Sequence, residues 1–97
     1  MKAYEMLLLL DPSLDEETRE GVLEKVQGLI TAEGGVVDAV ESWGKRRLAF
    51  EINDATDGDY VLVNFHNSPD AIAEIDRVLH ITDPVFRYML IRRDDVA

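Results

Sequence analysis

Residues 2–10, KAYEMLLLL, carry apolar side chains at Tyr4, Met6, Leu8 and Leu10 and also at Leu7 and Leu9. Side chains of an extended strand alternate between two faces, so apolarity on both parities calls for cover on both sides. The segment therefore reads as the central strand of a sheet, and the remaining chain has to surround it.

Asp11-Pro12-Ser13 breaks the strand. A helix follows, with Ser13 and Glu16 spaced as a capping box and Asp15 as the alternative N-cap. Val22, Val26, Leu29 and Ile30 recur at helical spacing, Leu23 widens the stripe, and Gly34-Gly35 ends the helix. Residues 36–52 form a second extended segment. There Leu48, Phe50 and Ile52 share one face, Arg47, Ala49 and Glu51 the other, and Leu48 and Phe50 are expected to anchor the core. Val36 and Val40 keep the parity of Leu48 but Trp43 does not, which predicts a bulge near Gly44.

Residues 53–59, rich in Asn and Asp, read as a turn, and GDYVLVNFH rises from Gly58 as a third strand. The pair makes a long hairpin, with Arg47 expected roughly opposite Val63. Ser68-Pro69-Asp70 starts a second helix, with Pro at its first position, a buried stripe of Ile72, Ile75, Val78 and Leu79, and an end near Ile81. After Thr82-Asp83-Pro84, VFRYMLIRR makes the last strand before the polar tail, residues 94–97.

The order is βαββαβ. It predicts an α+β, ferredoxin-like fold: a four-stranded antiparallel sheet in order 4-1-3-2 with two helices on one face. Residues 1–97 fit a single domain, since a chain of this length buries roughly 60–65% of its unfolded surface in one modest core. The last strand would lie beside the first and bring Arg92 and Arg93 towards Lys2. The face away from the helices would still present apolar side chains, with Tyr4, Tyr60, Phe86 and Tyr88 as candidate rings.

Charge is the next constraint. The chain carries a formal net charge of -10, which argues at first against nucleic acid, because phosphate binding depends on cations that displace condensed counterions. The distribution says otherwise: of ten Lys and Arg, six lie in residues 45–47 and 87–93, windows without an acid. The first is WGKRRLAF, three consecutive cations between aromatic residues. Basic side chains on an edge strand also discourage sheet-to-sheet pairing, so the tripeptide alone is compatible with a solvated edge.

With no cysteine there is neither a disulfide framework nor a thiolate metal site, and no apolar run reaches the ~20 residues of a membrane span. The N-terminus does not read as a signal peptide, and a cytoplasmic protein is expected. His66 and His80 lack any paired spacing, and carboxylate pairs such as Glu16-Glu17 fall on a helix start, so no metal, cofactor or catalytic set is expected. An acylphosphatase-like enzyme would want an anion cradle after the first strand, where Leu10-Asp11-Pro12-Ser13-Leu14 has no glycine and carries an acid.

Gly44-Lys45-Arg46-Arg47-Leu48-Ala49-Phe50-Glu51-Ile52-Asn53 resembles the signature of the bacterial small ribosomal subunit protein six family, a glycine and a basic or polar stretch followed by Leu-Ala-Tyr-x-Ile. Phe50 stands where the family usually has Tyr, and Glu51 replaces a frequent Pro. The resemblance extends to Lys2-Ala3-Tyr4-Glu5, Gly58-Asp59-Tyr60, Asp76-Arg77-Val78-Leu79 and Val85-Phe86-Arg87-Tyr88-Met89-Leu90, nearly the whole chain.

The resemblance implies a cytoplasmic ribosomal protein without enzymatic activity or cofactor. It implies binding to the central domain of small-subunit ribosomal RNA jointly with ribosomal protein eighteen, through sheet and hairpin. On that basis the expected RNA contacts are Lys2, Tyr4, Lys45, Arg46, Arg47, Arg87, Arg92 and Arg93, and the expected partner contacts are Trp43, Tyr60, Phe86 and Tyr88. Two alternatives share the element order: an RNA-recognition module stacking bases on strands one and three, and a metabolite-sensing regulatory domain. The first is matched poorly by Asp57-Gly58-Asp59-Tyr60-Val61-Leu62-Val63-Asn64, and no ligand-binding loop supports the second.

Overall fold

The structure, a computed structural model, describes residues 1–52 and 55–93, with the side chains of 49–52, 55 and 56 outside that description. The elements are β1 (Lys2–Leu10), α1 (Glu16–Ala32), β2 (Val36–Ile52), β3 (Ala55–Asn67), α2 (Pro69–His80) and β4 (Val85–Arg92). The strands are ordered β2-β3-β1-β4 with every neighbour antiparallel, which is the ferredoxin-like arrangement expected from the sequence.

One face of the sheet carries the core. Tyr4, Met6, Leu8 and Leu10 of β1 and Val61, Val63 and Phe65 of β3 meet Val22, Val26 and Ile30 of α1 and Ile75 and Leu79 of α2. Both helices are pinned where their first N–H groups need acceptors. The Asp15 carboxylate accepts from the Thr18 N–H at 2.7 Å, and these bonds hold its pKa below the usual carboxylate value. Ser13 instead donates its hydroxyl to Asp11, so the alternative cap prevails over the capping box. In α2, Ser68 caps and Pro69 follows.

The other parity of β1 packs without a helix over it. Leu9 and Leu62 are buried there among neighbouring side chains, while Leu7 is half-buried and Met89 and Ile91 of β4 are exposed. The two-sided apolarity of β1 thus reflects a helix-covered face and a second apolar face that this chain covers only in part.

The hairpin differs from expectation in its register. β3 starts at Ala55 rather than Gly58, Ile52 pairs with Ala55, and β2 is shifted between Val37 and Ala39, between Ser42 and Gly44 and between Arg47 and Ile52. Arg47 therefore lies opposite Asp57, and Val63 faces Val40. The first shift also separates Val36, opposite His66, from Val40, opposite the buried Val63, so these valines do not share a face. Because β1 pairs with β3 only as far as Leu10 and Asp59, the hairpin continues past the sheet as a two-stranded arm of roughly 15 Å. Leu48 sits on this arm, half-buried, with Leu9 over the small surface of Gly58; it does not anchor the helix-side core. Phe50 as a core anchor and the 94–97 tail lie outside the described side chains and residues.

Candidate nucleic-acid interface

Strand pairing sets side chains in rows across the open face. The row nearest the arm runs Arg87, Leu9, Tyr60 and Gly44, from β4 to β2. Trp43 is the extra residue of the β2 bulge beside this row, and Gly44 takes a φ of 80°, a left-handed conformation that suits glycine. The bulge presents the indole, 44% exposed, next to Tyr60, with ring centroids 6.4 Å apart and planes tilted by 31°. Arg46 and Arg47 follow on β2 and, with these rings, are the described residues that line a cleft of about 490 Å³.

The root of the arm is fixed from the helix side. Arg19 of α1 donates through Nε to Asp59 Oδ2 at 2.6 Å and through Nη2 to Ser42 Oγ at 2.7 Å. One guanidinium thus ties both hairpin strands to α1. Asp59 is buried, and its hydrogen bond raises the pKa of Arg19. Sequence reasoning missed this group; its only trace is a lone arginine in the acidic start of a helix.

The distribution of ion pairs is uneven. Arg19 pairs with Asp59, Arg77 with Glu74 at 2.5 Å, and Arg93 with Glu5 at 2.6 Å. Among the described residues Lys45, Arg46, Arg47 and Arg87 have no carboxylate at ion-pair distance, although the chain holds twenty acids against ten Lys and Arg. The unneutralised arginines are therefore gathered at the arm end of the sheet.

The remaining expected contacts divide differently from their sequence windows. Arg87 stands opposite Leu9, at the arm end, whereas Arg92 stands opposite Tyr4 and the Arg93 N–H donates to the Ala3 carbonyl at the far end, towards the exposed Lys2. A second cleft at that far end includes Asp38, His66 and Arg93 in its lining. Its charges are engaged internally: His66 Nδ1 lies 2.5 Å from Asp38, and Arg93 meets Glu5.

Tyr4 requires correction as an RNA contact. It is 7% exposed and stacks on Phe65 inside the core, centroids 5.6 Å apart, because its parity is that of Met6 and Leu8. Tyr88 requires the same correction as an open-face ring. It pairs with Leu8 on the helix side, and its hydroxyl donates to Asp76 of α2. Phe86, half-buried, is the extra β4 residue where the register shifts between Leu9 and Leu10. With Tyr4 and Phe65 inward, Tyr60 is the one ring that β1 and β3 offer to the open face, too little for a base-stacking platform of the RNA-recognition type.

A family model described as Ribosomal protein S6 matches residues 3–92. Among curated proteins, the small ribosomal subunit protein bS6 of Caldanaerobacter subterraneus subsp. tengcongensis is 46% identical, covering 98% of this chain and 100% of its own. The protein of the same name from Clostridium novyi is 47% identical over 94% of this chain and 96% of its own. Among solved structures, 30S ribosomal protein S6 from Thermotoga maritima superposes with a TM-score of 0.91 at 30% identity, covering 98% of this chain and 90% of that one.

Proposed function

The chain belongs to the ribosomal protein S6 family, and from that premise, as a structural protein of the bacterial small ribosomal subunit in the cytoplasm and not an enzyme, we propose that it binds ribosomal RNA through the arm end of its sheet. The RNA is the central domain of the small-subunit ribosomal RNA, and ribosomal protein eighteen binds with it as a heterodimer. Residues 1–97 act as one domain.

The observation that carries this reading is the set of arginines that, among the described residues, have no acidic partner, Arg46 and Arg47 beside an exposed indole and Arg87 at the same end of the sheet, in a chain of net charge -10. An acidic protein that leaves its cations unneutralised at one end keeps them for an anion outside itself. So few cations give little counterion release, and binding by the isolated chain should be weak. The partner supplies the rest. The apolar stretch of the open face, Leu7, Leu62, Met89 and Ile91, supports that role, because a protein interface needs an apolar centre that phosphate cannot cover.

Filter binding of a central-domain RNA fragment tests the proposal. The isolated chain is expected to bind poorly, and the heterodimer tightly with a steeper salt dependence. Equal affinity with and without the partner contradicts it.

A further inference from the structure

We propose that the cleft between Trp43, Tyr60, Arg46 and Arg47 takes one unpaired nucleotide of the RNA, its base against the indole and its phosphate on the guanidinium groups; this rests on the RNA-binding reading above.

Four observations meet at this point. The ring is presented by a bulge and followed by a left-handed glycine, so the backbone itself departs from a regular strand where Trp43 emerges. Tyr60 supports the indole from the side and leaves it 44% exposed. Arg46 and Arg47 line the same cleft, and among the described residues neither has a carboxylate partner. The volume, about 490 Å³, falls within the ~300–1,000 Å³ usual for sites that hold small molecules.

The combination selects a nucleotide outside a helix. In an A-form duplex the bases are stacked inward and its deep groove is too narrow for side chains, so an aromatic face meets only a base splayed from a loop, bulge or junction. Stacking on an aromatic ring then adds affinity largely without base preference, and the adjacent cations hold the backbone. The proposal moves Trp43 and Tyr60 from the protein partner to the RNA.

The test uses the full chain with ribosomal protein eighteen and a central-domain RNA fragment, comparing Trp43→Ala, Trp43→Phe and the double variant Arg46→Ala/Arg47→Ala. Trp43→Ala is expected to weaken RNA binding about tenfold with an unchanged salt slope, since stacking releases no counterions. Trp43→Phe should recover most of the loss, and heterodimer formation without RNA, measured by sedimentation, should match the unmodified chain. A thermal melt of each variant establishes that it folds. RNA affinity within twofold of the unmodified complex, or an equal loss in heterodimer formation without RNA, overturns the stacking site. If the arginine pair matters and Trp43 does not, the nucleotide site falls while RNA binding stands; if neither matters, both fall.

Discussion

A single side chain, Arg19, holds the candidate interface in place. Its guanidinium bonds Asp59 and Ser42 at once, and a planar fork does this where a lysine ammonium cannot match both directions. Removing one partner leaves a buried charge without compensation. Arg19→Ala or Asp59→Asn should therefore lower stability by about 2–4 kcal/mol in chemical denaturation, with Arg19→Lys in between. A change under about 0.5 kcal/mol for Asp59→Asn would show that the pair is dispensable. Gly58 makes a second demand at this scale: a Cβ there would lie 2.1 Å from Leu9 Cδ1. Gly58→Ala should cost about 1–3 kcal/mol through this overlap, measured the same way. A neutral result would mean that Leu9 moves aside at no cost. None of this is legible in a sequence, because Arg19 and Asp59 meet only after the hairpin has docked on α1.

At the scale of elements, the cap of α2 and the two-sided apolarity of β1 were readable because each is a local rule, whereas the choice between Ser13 and Asp15 at α1 and the parity of Val36 against Val40 were not. Ser68-Pro69 begins α2 as its chemistry dictates, and β1 occupies the interior of the sheet. The hairpin register was not readable, because the pairing of Ile52 with Ala55 and a further shift between Arg47 and Ile52 displace Arg47 from Val63 to Asp57. Tyr88 shows the same limit. Alternation put it on one of two faces, and only the packing of α2 chooses the side on which Asp76 accepts its hydroxyl. That bond pushes the Tyr88 pKa from 10.0 up to about 12. The fold favours the neutral phenol, so its contribution is whole below pH 10 and is lost as pH rises through about 12. The stability difference between the unmodified chain and Tyr88→Phe should be constant at neutral pH and shrink between about pH 10 and 12. A difference that persists unchanged above that range would remove Asp76 as the cause.

Across the whole molecule, charge is segregated. Sequence windows grouped Arg87 with Arg92 and Arg93, yet an extended strand carries Arg87 to the arm end and the other two to the far end, where Arg93 meets Glu5. Linear clustering showed that cations were concentrated; only sheet topology shows which of them converge. Arg46 and Arg47 lie at the arm end beside the one tryptophan of the chain, Arg87 lies at the same end on β4, and the chain as a whole keeps a negative net charge. That asymmetry makes RNA binding depend on a few cations and on a partner. The most direct test is the salt dependence of RNA binding by the heterodimer, measured for the unmodified chain and for Arg46→Ala/Arg47→Ala. The log-log slope should fall by about one for each phosphate that is no longer neutralised, about two for the pair, with weaker binding at every salt concentration. An unchanged slope and affinity would contradict the assignment of the arm end to RNA.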